Sequence, residues 1–504
     1  MTNPLFDALF AGLEGRKSPV LFLPDGQDIS GDAFFKLVAK SAHALVAAGV
    51  QPGDRVALQI AKSPQALALY GASVAIGAVF LPLNPSYTAA EIRYFINDAT
   101  PRVILCDPKM ASAIVAFSPD HRAQLFTLDA AGRGSFAEYM VGQPEILRAL
   151  PRKAQDLAAI LYTSGTTGRS KGAMLTHANL LSNAETLAAY WHFTSEDVLL
   201  HALPIFHTHG LFVASNVSLL TGGSMIFLPS FDAKTVLREM ARATVMMGVP
   251  TFYTRLLDQA EFDAKSAGHV RLFVSGSAPL LADTHAAFFA RSGHRILERY
   301  GMTETNMNTS NPYTGERRAG TVGFPLPDVA LKITENGTEV VQGAVGMVEV
   351  RGPNVFAGYW QMPEKTAEDL RADGWFLTGD LGRIDVDGYV QIVGRLKDMV
   401  ISGGFNIYPK EVELLLDAIP GVAESAVIGL PHPDFGEAVF AVLAATPGQV
   451  LDVDLVLETL HPQLARFKHP KAAVVVADLP RNAMGKVQKN VLREEYGGWF
   501  GGGR

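Results

Sequence analysis

Apolar and polar positions change period along this chain, and helix-like and strand-like segments alternate through most of it. The run 64–76 is apolar on nearly every side, which predicts a buried helix. Ser63 suits its N-cap, and Pro64 suits the first turn, where no backbone N–H is needed. Short apolar runs at 78–83, 158–162, 224–228, 244–249 and 272–274 predict strands, with helices at 235–243 and 282–290. Such alternation predicts a largely parallel sheet covered by helices. From about residue 320 the pattern changes. Segments 330–334, 345–351 and 389–393 are β-rich, with turns at Glu335-Asn-Gly337 and Asp385-Val-Asp-Gly388. After Gly394 the chain reads as α+β, with helices at 409–417 and 453–460 and strands at 425–429 and 438–445. A boundary is expected at Gly394–Lys397, dividing 1–394 from 395–504. The fold class is α/β: a large N-terminal domain of helix-covered sheets with a β-rich subdomain, then a small α+β C-terminal domain.

The composition fits a globular protein of two or more domains: 504 residues, 48% hydrophobic and 18% charged. A net charge of −7 argues against a nucleic-acid partner, which requires basic patches. Cys106, the one cysteine, ends the apolar run 102–106 and reads as a packed residue compatible with a reducing compartment. The N-terminus lacks a signal-peptide pattern, so a cytoplasmic location is expected. Stretches 63–90 and 202–231 are free of Asp, Glu, Lys and Arg and long enough to span a bilayer. Pro, Gly, Asn, Ser and His interrupt them, so buried core is the expectation and no membrane partner is implied.

One loop changes this picture. After the strand at 158–162 comes Thr163-Ser-Gly-Thr-Thr-Gly-Arg-Ser-Lys-Gly172. Gly165, Gly168 and Gly172 permit close backbone approach; Thr163, Ser164, Thr166, Thr167 and Ser170 supply hydroxyls, and Lys171 supplies charge. That set suits a polyphosphate, but the spacing is not that of the P-loop. The loop resembles the signature of the adenylate-forming superfamily. Tyr300-Gly-Met-Thr-Glu304, Thr378-Gly-Asp380, Gly394-Arg-Leu-Lys-Asp398 and Pro480-Arg-Asn-Ala-Met-Gly-Lys486 follow in the family's order.

The resemblance implies ATP, Mg²⁺ and coenzyme A as reactants or cofactors, with acyl-adenylate formation followed by thiol attack. It implies that Lys486 is the catalytic lysine, with Thr303 at the α-phosphate and Glu304 as the Mg²⁺ ligand. Tyr300, Gly301, Met302 and Ser277 would border the nucleotide, and Asp380 and Arg395 would hold the ribose. Lys397 would be the hinge of a mobile C-terminal domain. Gly403, Gly404 and Phe405 would line the pantetheine path, with Lys410 and the basic run 466–471 near the CoA phosphates. A lysine acyltransferase acting on Lys486 is a further implied partner.

The segments expected around the acid are unusually polar, with His207, His209, Arg255, Ser275 and Ser277, beside Met302. A buried guanidinium needs an anion, and a second substrate carboxylate supplies one. Segments 202–218, 248–257, 271–283 and 297–312 resemble bacterial malonyl-CoA synthetases. Malonate is therefore the expected acid, with methylmalonate as a slower one. A short or medium monocarboxylate ligase and an adenylation module loading a carrier protein are the alternatives.

Overall fold

The computed structural model describes residues 2–117, 123–163, 170–402, 405–482 and 485–501. Ser164, Gly165, Thr166, Thr167, Gly168, Gly403 and Gly404 lie outside the described residues. The chain divides into two compact units: residues 1–330 with 350–376, and residues 331–349 with 377–504.

Among the described residues, the first unit contains a six-stranded and a nine-stranded sheet. In the six-stranded sheet, Arg55–Gln59 runs parallel to Val79–Pro82 and to Val103–Cys106, and Leu157–Thr163 pairs antiparallel with Lys171–Thr176. The helix Pro64–Ile76 has the expected bounds, and the Ser63 hydroxyl accepts from the Ala66 N–H. Its residues from Ala66 to Ile76 are buried, which explains why the run shows no polar face. Cys106 is buried, and burial pushes its thiol up to about 12.

In the nine-stranded sheet, Ser224–Phe227, Val198–His201, Val245–Gly248, Leu272–Ser275 and Leu297–Met302 lie side by side and parallel. Asn306–Ser310 then closes antiparallel against Leu297–Met302. Tyr253, Phe273 and Phe288 fill the core under this sheet, with the Tyr253 and Phe288 rings 5.3 Å apart and edge-on. Truncating such a ring costs about 3–5 kcal/mol. The stretch 202–231 is core: it forms a π-helix at His209–Ser215, a helix at Asn216–Leu220 and the strand Ser224–Phe227. No helix among the described residues is long and apolar enough to cross a membrane.

The second unit contains the β-rich ladder of Ala330–Glu335, Gly346–Arg351, Phe376–Ile384 and Val390–Arg395, whose first and third strands begin, and second strand ends, across the boundary between the units. It also contains the long antiparallel ribbon Val422–His432 and Gly436–Ala445, flanked by the parallel strand Ala472–Val476. Helices Pro409–Asp417 and Val453–Leu460 pack on it through Val412, Leu416, Val456 and Leu460. The proposed boundary at 394–397 falls inside this unit, between Val390–Arg395 and the short turn Leu396–Asp398.

Candidate active site

Parallel strands leave a sheet along one edge, and the residues that follow them collect there. In the first unit this edge gathers residues 202–209, Val249, Gly276 and Ser277, and the end of Leu297–Met302. Arg299 lies on that last strand and is only 4% exposed. Its guanidinium lies flat on Gly276, where a Cβ would stand 2.4 Å from Cζ. Its Nε and Nη2 have no hydrogen-bond partner among the described residues. Burial pushes its pKa down to about 9, the direction expected for a cation that lacks an anion. Glu298, the preceding residue, sits on the other face of the strand; its carboxylate accepts from the Gly320 N–H at 3.3 Å.

Beside Arg299 stands His209, whose Nδ1 is 3.2 Å from the Ser277 hydroxyl. Its Nε2 and the Ser275 hydroxyl are buried without a partner among the described residues. Burial, then the charge of Arg299, then His207 push His209 well below its ordinary value, so the ring is neutral. His207 accepts from the His209 N–H at 3.3 Å. Ser277 holds a left-handed φ of 72°, which turns its hydroxyl toward this ring. One buried cation, a neutral imidazole and the Ser277 hydroxyl form a set suited to one carboxylate.

Arg255 is not one of these buried groups. The expectation that it is buried is corrected: it is exposed on the helix Pro250–Leu257. Tyr253 is fixed inward by its hydroxyl on the Val274 carbonyl at 2.5 Å, and Leu256 is buried. A residue two positions after Tyr253 is rotated by about 200°, so Arg255 must face out. The buried guanidinium is Arg299, which the sequence reading passed over. Its signal was present: alternation along 297–302 places one of the adjacent charges Glu298 and Arg299 on each face of a strand buried on both sides.

The described flanks of the loop 163–172 are anchored in the same unit. The Tyr162 hydroxyl donates to Asp98, and the Tyr94 hydroxyl donates to the Ser170 carbonyl at 2.7 Å. Both anchors stand on the helix Ala89–Ala99, started by a Thr88–Glu91 capping box. Thr163 lies at the end of its strand, its hydroxyl 3.4 Å from the Lys171 carbonyl. Lys171 lies over the Tyr359 ring at 4.2 Å, with its ammonium 3.1 Å from the Tyr359 hydroxyl and 3.5 Å from Asp369. The Tyr359 hydroxyl in turn donates to Glu304, which is 4% exposed, at 3.1 Å. Burial first, then Glu304 and Asp369, raise the Tyr359 pKa, so it stays a neutral donor. Tyr359 is a second residue that the motifs do not reveal. Tyr300, Gly301, Met302 and Thr303 are half-buried where the strand Leu297–Met302 ends and turns.

In the second unit Asp380 is 3% exposed and takes the Arg395 Nε at 2.8 Å across paired strands. The Thr378 hydroxyl accepts from the Asp380 N–H at 3.0 Å and donates to the Val348 carbonyl at 2.8 Å, which fixes this corner. Lys397 is exposed in the turn Leu396–Asp398, and Asp398 is held by Arg493 at 2.8 Å. Phe405 is exposed and stacks on Phe467, with centroids 4.6 Å apart. Lys486 is exposed as a residue and follows Gly485, which has a φ of 73°. Its N–H donates to the Asn482 side chain at 3.0 Å, closing the turn. Desolvation first, then the nearby charge of Arg395, push its ammonium down to about 8, while Asp380 and Asp398 oppose the shift. No group of three His, Cys, Asp or Glu residues that could hold a metal occurs among the described residues.

The family described as AMP-binding enzyme matches residues 13–360, and the AMP-binding enzyme C-terminal domain matches residues 411–486. A feruloyl-CoA synthase of an Amycolatopsis species is 38% identical, covering 91% of this chain and 92% of that protein. A malonate–CoA ligase of Arabidopsis thaliana is 35% identical over 83% of this chain and 74% of its own length. The ATP-bound MatB of Rhodopseudomonas palustris superposes with a TM-score of 0.97 at 56% identity, covering 99% of this chain and 100% of that one.

Proposed function

Because the chain belongs to the AMP-binding enzyme family and is an AMP-forming acid–CoA ligase, we propose that its acid is malonate. One malonate carboxylate would attack the α-phosphorus of ATP and release pyrophosphate. The coenzyme A thiol would then attack the acyl carbon and release AMP, leaving malonyl-CoA. The observation that carries the choice is Arg299: a buried guanidinium beside His209 and Ser277, with two nitrogens that have no partner among the described residues. The second, unreacted carboxylate satisfies it, and a monocarboxylate leaves it bare. Methylmalonate keeps that carboxylate and adds a methyl, so it is the expected slower substrate. The likeness to malonate–CoA ligases supports the reading, and the likeness to a feruloyl-CoA synthase supplies the competing monocarboxylate one.

The other roles follow the family's chemistry. Lys486 would hold the carboxylate and α-phosphate, Asp380 and Arg395 the ribose, and Lys171 the departing phosphates. Lys397 would be the pivot between the two half-reactions, and Phe405 would border the pantetheine. Glu304 suits a Mg²⁺ that arrives on ATP: it is one buried carboxylate, and no cluster of three protein ligands occurs among the described residues. Such an ion would neutralise phosphate charge. The test is AMP release with malonate, methylmalonate, acetate, butyrate and benzoate, each with and without coenzyme A. Malonate should exceed the monocarboxylates by about 100-fold or more in kcat/KM. Equal rates for malonate and butyrate would exclude the proposal.

A further inference from the structure

Lys62 stands between the strand Arg55–Gln59 of one sheet and Ser63, the cap of the helix Pro64–Ile76. Its ammonium crosses to the other sheet. It donates to the His201 Nδ1 at 2.9 Å, the His201 carbonyl at 2.8 Å and the Leu203 carbonyl at 2.9 Å. All three N–H donors of the ammonium are used. The His201 Nε2 faces the Gly210 carbonyl at 2.8 Å and the Ser215 hydroxyl at 3.0 Å. A carbonyl only accepts, so Nε2 carries the hydrogen and Nδ1 takes its bond from Lys62.

These bonds fix both ends of one segment. Residues 202–209 leave the strand Val198–His201, carry His207 and His209, and enter the π-helix His209–Ser215. Lys62 holds the start through two carbonyls. His201, oriented by Lys62, holds the far end at Gly210. Gly210 also passes so close to the start that a Cβ there would meet the Pro204 carbonyl oxygen at 2.0 Å. Packing does not do this work alone: Lys62, Pro204, Ile205 and Phe206 line an apolar cavity of about 200 Å³. On that side the segment has fewer packing partners, and its hydrogen bonds contribute more to its position.

We propose that Lys62 is a positioning residue for the acid: its three hydrogen bonds hold the segment that sets His207 and His209 beside Ser277 and Arg299. This inference rests on the acid-site reading above. Burial pushes both Lys62 and His201 well below their ordinary values, and the charge of Lys62 adds to the shift of His201.

The experiment uses the full chain with Lys62→Met, which keeps the stem and removes the donors. KM is measured separately for malonate, ATP and coenzyme A, with a thermal melt alongside. Lys62→Met should raise the malonate KM about tenfold or more while the ATP and coenzyme A constants stay within about twofold. Lys62→Cys in a Cys106→Ala background, alkylated with 2-bromoethylamine while unfolded and then refolded, restores an ammonium at nearly the original length and should restore the malonate KM. If Lys62→Met fails to fold, Lys62→Gln, which keeps two donors, is judged by the same three constants. A native malonate KM in the folded variant, or equal rises in all three constants, overturns the proposal. Arg299→Leu is run in parallel. If it leaves malonate kcat/KM intact, the acid-site reading itself fails. If it destroys malonate kcat/KM while Lys62→Met keeps a native KM, only the role of Lys62 fails.

Discussion

A guanidinium that is 4% exposed and has no partner on Nε or Nη2 among the described residues carries a desolvation cost that a bound anion relieves. Removing one partner of such a buried pair costs about 3–5 kcal/mol. Arg299→Leu should therefore lower malonate kcat/KM roughly 100-fold or more, with little change for butyrate. Arg255→Leu, on an exposed helix face, should stay within about threefold. A steady-state comparison of both variants on both acids decides it, and the reverse ranking would restore Arg255. The polar character of the proposed acid site was legible in the sequence, where an apolar pocket is usual. The choice of arginine was not. Arg255 lies in the polar stretch, but one hydrogen bond from Tyr253 sets the rotation of its helix. Lys62 escaped for a related reason: a lysine at the edge of an apolar run reads as surface until His201, far along the chain, is seen to receive it.

Elements whose ends are fixed locally were readable to the residue. Pro64–Ile76, Pro409–Asp417 and Val453–Leu460 each begin with proline or directly after a capping residue. Irregular elements were not, because distant backbone shapes them. The π-helix His209–Ser215 requires Gly210 against the Pro204 carbonyl, and the hairpin beyond Leu297–Met302 slips register between Tyr300 and Gly301. At Gly301 a Cβ would stand 1.9 Å from the Asn306 carbonyl oxygen. Gly301→Ala must open this bulge, at about 1–3 kcal/mol by overpacking, and displace Tyr300 and Thr303 with it. We expect a lower melting temperature and an ATP KM raised tenfold or more. Gly293→Ala is the control: its φ is 77° but nothing lies within 4 Å, so it should cost about 1 kcal/mol and leave the ATP KM alone. Equal ATP KM values for the two variants would show that the bulge does not position the nucleotide.

Across the whole molecule, the residues given roles in the two proposed half-reactions belong to both compact units. The order of motifs made that plan legible, while the membership of each unit was not: the ladder through Phe376–Ile384 and Val390–Arg395 places Asp380 and Arg395 with Lys486 in the second unit. Their charges meet at the lysine. Arg395 pushes the ammonium down, Asp380 and Asp398 pull it up, and desolvation exceeds each of them, leaving it at about 8. An ammonium is charged below its pKa, so adenylation kcat/KM should fall as pH rises through about 8. ATP adds negative charge and favours the ammonium, so the same limb in kcat should lie at higher pH. For stability the sign is opposite. The folded pKa lies below the unfolded one, so the unfolded chain binds more protons and this group's contribution rises with pH between about 8 and its ordinary value. Pyrophosphate exchange across pH 7–10 reads the catalytic limb. Lys486→Arg should remove that limb, because a guanidinium stays charged throughout. Lys486→Ala should abolish exchange yet leave coenzyme A attack on preformed malonyl-adenylate within about threefold. A limb that persists in Lys486→Arg, or equal loss of both half-reactions in Lys486→Ala, would move the proton and the catalytic role to another group.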